Sequence, residues 1–282
     1  MSGQFQYTWE QAVLWLKNQP EQADLVKSCY YDDPLELAAE RYYLGEEWKC
    51  VQSLLATRVP GRVLDLGAGR GISSYAFAKS GCEVIALEPN PSSIVGGGAI
   101  KSLSEHAGVP IEIVQSYGET LPLPDSQFDI VYGRAVFHHA QDIKQLCCEA
   151  ARVLKPGGML IFTREHVISK AEDLPKFLEA HALHSLYGGE NAYLLKDYLK
   201  AIQASGLRLE KVLKPYDSVI NYAPMTSAQI QDRLASKIQR FIGATVADKL
   251  VRNQTIFNLA KSLMSELSRA PGRLYTFMAV KQ

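Results

Sequence analysis

No charge of one sign dominates this 282-residue chain: 30 Lys and Arg balance 30 Asp and Glu, for a formal net charge of zero. Without a positive field to collect a phosphate backbone, nucleic acid is not an expected partner. No apolar run approaches the roughly 18 residues that span a bilayer. The opening MSGQFQYTWEQ also lacks the basic flank and apolar stretch of a secretory signal. The expectation is a cytoplasmic protein that does not engage a membrane. Cysteine is sparse: Cys29, Cys50, Cys82, Cys147 and Cys148 are odd in number and never spaced C-x-x-C. That pattern excludes a disulfide framework and a zinc knuckle and predicts reduced thiols. Internal repeats and low-complexity stretches are also missing. What remains is ordinary globular composition, 47% hydrophobic and 21% charged, enough for the core of one large or two small domains.

Residues 8–18 place Trp9, Ala12, Val13 and Leu16 on one helical face behind a Thr8 cap, and 34–56 continue in helical rhythm after Pro34. Residues 1–57 therefore read as an N-terminal helical cap. From Pro60 and Gly61 onward, short β-branched runs alternate with helical segments, the signature of a parallel sheet covered by helices. The spacing predicts strands over 62–67, 83–88, 111–116, 128–133 and 158–164, with helices over 71–80, 91–106 and 141–154. Gly96, Gly97 and Gly98 fall inside the second of these helices. Each costs about 1 kcal/mol there relative to Ala, so the element either breaks or packs closely on another backbone. Helix returns over 170–184, 195–205 and 226–268, a strand is expected over 207–216, and the final RLYTFMAVKQ alternates like a strand rejoining the sheet. The expected fold is α/β, a seven-stranded doubly wound Rossmann-like sheet over 58–282. Insertions at 169–194 and 217–270 would form a substrate lid or an oligomer surface, in a monomer or homodimer.

The segment VLDLGAGRGISSYAFA passes from a buried strand through Gly67, Gly69 and Gly71 into a helix, the place where ligands cross the carboxyl ends of strands. Side chains at those glycines would hold a ligand away from the backbone. A dinucleotide fingerprint would put its third glycine where Ile72 stands, which argues against NAD or FAD. Asp65 would repel a pyrophosphate but can organise a cationic or amino-bearing ligand. Glu88 ends the second strand 21 residues after Gly67, a spacing from which a carboxylate accepts hydrogen bonds from ribose hydroxyls. Together these features describe a nucleoside without phosphates.

VLDLGAGRG, ALEPN, GETLPLPDSQFDIVYGRAVFHH and RVLKPGGMLIFTRE, in that order over residues 62–165, resemble the successive motifs of class I S-adenosylmethionine-dependent methyltransferases of the type 11-like kind. The resemblance implies S-adenosylmethionine as cofactor and an antiparallel last strand. It further implies that Gly67, Ala68, Gly69 and Gly71 back the methionine and ribose, and that Asp65 lies near the methionine amino group. Glu88 and Pro89 would hold the ribose, Gly118 and Glu119 would border the adenine, and Arg134, Ala135 and His139 would meet the methionine moiety. Tyr30, Tyr42 or Tyr43, in the segment before the first strand, would close over the pocket, with packing into the core as the alternative. One departure stands out: many relatives carry Asp directly before the position of Gly118, where this chain has Tyr117. No metal is expected: His138 and His139, being adjacent, should diverge at a helix start, and although His181 and His184 with Glu165 or Glu190 could bind a metal, as some O-methyltransferases do, no DD or DN pair for Mg²⁺ is found.

Methyl transfer from a sulfonium is an in-line displacement, so alignment of the reactants supplies much of the rate, roughly 7 to 11 kcal/mol. Arg164, Glu165 and His166 leave the fifth strand at its carboxyl end and are the catalytic candidates, with His166 as base or orienter. The plainer alternative is an Arg164–Glu165 ion pair beside a satisfied histidine. The stretch HALHSLYGGENAYLL gathers His184, Tyr187, Glu190, Asn191 and Tyr193 around Gly188 and Gly189. With His138, these residues are the candidates for binding a polar acceptor, and a simple turn between helices is the alternative. The expected activity is methylation of a polar small molecule, foremost O-methylation of a sugar-like or otherwise hydroxylated metabolite. C-methylation of a quinone-type or aromatic metabolite is the alternative among enzymes, and a non-catalytic S-adenosylmethionine-binding sensor or partner-assembly protein is the alternative of another class.

Overall fold

A computed structural model describes residues 7–282, so residues 1–6 of the expected cap lie outside the described residues. The strands are β1 (Arg62–Leu66), β2 (Glu83–Leu87), β3 (Glu112–Val114), β4 (Phe128–Arg134), β5 (Leu154–Ile168), β6 (Tyr193–Leu194), β7 (Leu207–Leu213) and β8 (Arg273–Lys281). They form one sheet in the order β3-β2-β1-β4-β5-β8-β7, with β6 paired to β5 off that path. Every pairing is parallel except those of β8, which runs antiparallel to both β5 and β7.

This is the expected Rossmann-like architecture with two differences, both at β5. The strand runs from Leu154 to Ile168 instead of stopping at 164. Its pairing with β4 ends at Arg134↔Thr163, and the two residues of β6 then take over that edge at Val167 and Ile168. Period-2 alternation sorts the core into two faces. Leu64, Ile85, Val131, Leu160 and Phe162 pack with the helices Ile143–Val153 and Leu195–Ala204. Val63, Val84, Ile130, Tyr132 and Ile161 pack on the other face against Leu35–Leu44, Glu46–Leu55 and Ile72–Lys79. The N-terminal helices thus supply one layer of the sheet's own core.

Local chemistry explains the helix boundaries. Thr8 and Gln11 form a reciprocal capping box on the helix Trp9–Lys17. The helix expected over 91–106 begins only at Gly97. A Cβ on Gly96 would stand 2.1 Å from the Asn90 carbonyl oxygen, so close backbone approach breaks the element there. The 217–270 insertion folds into Ser227–Ile242, Ala244–Arg252 and Gln254–Leu267, which leave Phe241, Leu259 and Leu267 exposed. Among the described residues no helix is long and apolar enough to cross a membrane.

One buried ion pair ties the cap to the sheet. Arg134, the last residue of β4, donates from Nε to Glu47 Oε1 at 2.7 Å and from Nη2 to Glu47 Oε2 at 3.1 Å. Its guanidinium also lies over the rings of Tyr30 and Tyr42. Removing one partner of such a pair strands a charge away from water. Glu47→Ala should lower the free energy of urea unfolding by about 3–5 kcal/mol, while Glu47→Leu combined with Arg134→Met should lose far less. Equal losses in the single and double variants would show that packing, not charge, makes the contact matter.

Candidate active site

β1 feeds a loop in which Gly67, Gly69 and Gly71 have φ of 60°, 56° and 82°. A Cβ on Gly67 would meet Val136 Cγ2 at 2.3 Å, whereas one on Gly69 would meet nothing within 4 Å. The loop is therefore packed on one side and open on the other. Glu88 closes onto it: Oε2 accepts from Gly69 N at 2.8 Å and Oε1 from Asn90 N at 2.9 Å. Burial raises its carboxyl pKa above the ordinary value against the pull of those two amides. Ala68 is buried within the loop, and Pro89 follows Glu88 at a half-buried position.

Asp65 is buried at the end of β1, where Oδ2 accepts from Ser73 Oγ at 2.7 Å and Ser74 Oγ at 2.5 Å. Its other oxygen, Oδ1, is buried with no hydrogen-bond partner. Burial lifts the carboxyl pKa from 3.8 to about 6, although both serines oppose the shift. An orphaned carboxylate oxygen beside an open glycine turn fits an ammonium-bearing nucleoside.

The segment before β1 does reach the loop, but not through Tyr42. That residue is fully buried, with its ring against Tyr30 and Trp48 and its hydroxyl 3.2 Å from that of Tyr132, so it belongs to the core. The connection runs through Arg70, the charged residue among the loop glycines. Arg70 donates to the carbonyls of Tyr30 and Asp32 at 3.0 and 3.1 Å and to Asp33 Oδ1 at 2.5 Å. Residues 30–33 are thereby strapped against the loop. Sequence reasoning missed Arg70 and Glu47; an arginine inside a glycine turn was the available signal for the first.

Gly118 and Glu119 are half-buried in the turn after β3, and Glu119 accepts from Gln141 N at 2.9 Å. Tyr117 beside them is 70% exposed. Ala135, at φ 54°, donates its N–H to Thr163 O and turns the chain out of β4.

The catalytic trio lies inside β5, not beyond it. Arg164 has φ 61° at a bulge between Phe162 and Glu165. Its Nη1 donates to the carbonyls of Ile220 and Ala223, both at 2.9 Å, and pins the strand to the 217–270 insertion. Glu165 is completely buried and accepts from Val136 N at 3.2 Å, His138 N at 3.0 Å and His138 Nδ1 at 2.6 Å. The alternative of an Arg164–Glu165 ion pair is corrected: among the described residues the two do not pair with each other, and each bonds to other protein groups. His166 keeps its candidacy. Its Nδ1 is 2.7 Å from the Gly272 carbonyl, which only accepts, so Nδ1 carries the proton and Nε2 keeps a lone pair. Burial, with the nearby charge on His138, pushes its pKa down to about 3, so the ring is neutral.

Glu190 is the hub of the facing wall. Tyr187 donates to its Oε1 at 2.6 Å, and Oε2 lies 3.7 Å from His138 Nε2, 3.9 Å from His139 Nε2 and 3.7 Å from His181 Nε2. Burial resists the charge on His138, but Glu165 and then Glu190 outweigh it and raise the pKa to about 9. Burial and that charge instead lower the pKa of His139, whose Nδ1 meets Gly189 O at 2.9 Å. Contrary to expectation, His138 and His139 do not diverge: the 3₁₀ turn Phe137–His139 sets their rings 4.2 Å apart and 39° from parallel. His184 opens the short helix His184–Tyr187. Tyr193 donates its hydroxyl to Ala140 O at 2.9 Å, and Asn191 Oδ1 accepts from Ala192 N at 2.9 Å while its side chain also hydrogen-bonds Tyr193.

With this geometry in place, the comparisons with known proteins are consistent. The family profile described as "Methyltransferase domain" matches residues 64–162. The chain is 31% identical over 173 residues to the thiol S-methyltransferase TMT1B of Rattus norvegicus, covering 59% of this chain and 69% of that protein. It is 29% identical over 152 residues to a ubiquinone biosynthesis O-methyltransferase of Rhizobium etli, covering 52% of this chain and 60% of that protein. The chain belongs to the S-adenosylmethionine-dependent methyltransferase family. The first curated relatives are matched over only 40–60% of their own length. A solved geranyl diphosphate methyltransferase, determined with geranyl diphosphate and sinefungin, shares the fold at a TM-score of 0.59 and 13% identity, covering 94% of this chain and 87% of that one.

Asp65 links this site to stability. Its carboxyl binds a proton more tightly folded than unfolded, so its contribution to stability falls as pH rises from about 4 to 6. Asp65→Asn keeps an acceptor for the serines and removes the charge. Urea midpoints of variant and native chain should converge below pH 4 and separate above pH 6. There the variant should be the more stable by about 3 kcal/mol, at 1.36 kcal/mol per pKa unit. Its affinity for S-adenosylhomocysteine should fall at the same time.

Proposed function

We propose that the protein transfers a methyl group from S-adenosylmethionine to a hydroxyl of a polar small molecule, such as a sugar-like metabolite. When bound, the cofactor supplies a methyl on a sulfonium, ready for in-line displacement. Asp65, through its unpartnered Oδ1, would hold the amino group. Glu88 would accept the ribose hydroxyls with the lone pairs left after its bonds from Gly69 and Asn90. Gly67, Ala68 and Gly69 let the ligand approach the backbone, and Gly118 and Glu119 would border the base.

The observation that carries the acceptor reading is the state of His166. Its ring is fixed by the Gly272 carbonyl and neutral, with Nε2 left as an acceptor and the rings of His138, Phe177 and His181 around it. A neutral imidazole there can orient an acceptor hydroxyl or take its proton as the new C–O bond forms. Glu190, Tyr187 and His139 supply the hydrogen-bonding groups that a hydroxylated acceptor needs, and an apolar acceptor would leave them unmatched.

The direct test is incubation with tritium-labelled S-adenosylmethionine and panels of sugars, phenols, amines and thiols, with products identified by mass. Label on a hydroxyl oxygen is the expected result. Tight donor binding with no transfer to any panel would instead favour a sensor. Glu88→Ala should weaken S-adenosylhomocysteine binding by about 1.5–3 kcal/mol in calorimetry. His166→Asn should leave that affinity within error and lower turnover by about 10² to 10⁴; unchanged turnover would remove His166 from the reaction.

A further inference from the structure

We propose that His166, His181 and Glu190 bind a divalent transition-metal ion beside the second half of β5, next to the turn that leaves β4. One ligand atom from each of the three residues lies within 4.8 Å of the others. His181 Nε2 is 3.7 Å from Glu190 Oε2. Nitrogen and oxygen donors sharing one tetrahedral ion at about 2.0–2.1 Å stand about 3.3 Å apart, so the His181–Glu190 pair closes by a few tenths of an ångström and the pairs with His166, within 4.8 Å, by up to about 1.5 Å, the range of a side-chain adjustment.

The outer contacts already match those of a metal site. Ligating histidines give their second N–H to a carbonyl or carboxylate, which fixes the tautomer and aims the lone pair. His166 does this through Nδ1 to Gly272 O. The neighbouring His139 and His138 do the same to Gly189 O and Glu165. Glu190 is held from behind by the Tyr187 hydroxyl at 2.6 Å. His181 is the exception: its Nε2 faces Glu190 Oε2, while its Nδ1 is buried without the outer partner that the other rings have.

Charge points the same way. Glu165 and Glu190 are both buried, and among the described residues their only ion-pair partners are histidines. No lysine or arginine balances either one. A divalent cation on Glu190 would compensate both carboxylates without a second protonated ring. Two imidazoles and one carboxylate are borderline donors, suited to Zn²⁺, Co²⁺, Mn²⁺ or Fe²⁺ rather than Mg²⁺ or Ca²⁺, which favour all-oxygen sets. Three protein ligands leave positions open to water or to a hydroxyl. Joined to the methyl-transfer reading, on which this last step rests, those positions would bind the acceptor hydroxyl and acidify it. His166 would then act through the ion, the hydroxyl proton passing to solvent water before the oxygen forms its bond to the methyl carbon and the carbon–sulfur bond of the donor breaks to leave S-adenosylhomocysteine.

The test is calorimetric and visible-spectroscopic titration of the EDTA-treated full chain with Co²⁺ and Zn²⁺. The expected result is one-to-one binding with visible ligand-field bands. It should be lost in His181→Asn and Glu190→Gln and kept in His106→Asn, a surface control. Crystals of the native chain soaked in Zn²⁺ should show an anomalous peak between His166, His181 and Glu190, which answers the question even if a variant fails to fold. Absence of saturable binding, indifference to the substitutions, or a peak elsewhere would overturn the proposal and leave an imidazolium network in its place. S-adenosylhomocysteine affinity of the same metal-free protein is measured separately. A missing metal thus leaves the donor reading standing, and a missing donor leaves the metal result standing.

Discussion

A carboxylate cut off from water organises this site. Glu165 costs several kcal/mol to bury unless its oxygens are matched, and the chain leaving β4 matches them with two amides and an imidazole. That requirement curls residues 136–139 back onto β5. The curl turns two histidine rings side by side toward Glu190. It also fixes Val136 under Gly67, so the glycine turn and the histidine chamber share one support. The bulge at Arg164 is what brings Glu165 to this place, and Arg164 itself is anchored to carbonyls of a distant insertion.

The sheet was legible in the sequence because its signals are periodic and local. Strands β1, β2 and β4 alternate between two buried faces, and the glycine turn and the acid at the end of β2 stand at fixed offsets. The far half of β5 was not legible. The polar triplet Arg164-Glu165-His166 reads as the end of a strand, and only burial against His138 and Gly272 shows that the strand continues. β6, at two residues, falls below any periodic signal. Within the site, Asp65 and Glu88 followed from motif spacing. Tyr42 did not, because an aromatic residue at helical spacing looks the same whether it faces a ligand or Trp48. The convergence of His138, His139, His166 and His181 on one carboxylate depends on loop closure across more than 40 residues, which no local pattern encodes.

The wall opposite His166 is less independent than its paired glycines imply. Tyr187 packs on Trp9 with ring centroids 4.7 Å apart, and Leu183 shares an apolar cluster with Ala12, Leu16 and Val26. The same N-terminal stretch continues into the strap held by Arg70. Displacing the wall therefore disturbs the helix Trp9–Lys17, and through it the covering of the glycine loop. The Glu190 cluster and the glycine loop share one roof.

The place of β8 between β5 and β7 bears on how the molecule is made. Among the described residues β7 bonds to no strand other than β8, and sixty-odd residues separate Leu207 from Arg273. A nascent chain emerging from the ribosome can settle β1 to β5 early, yet β7 must wait with its edge unmatched until the whole helical insertion and the strand after it have been synthesised. Such delayed, long-range pairing is slow and leaves sticky surface uncovered in the interval. The last strand to be synthesised is thus the one that completes the sheet.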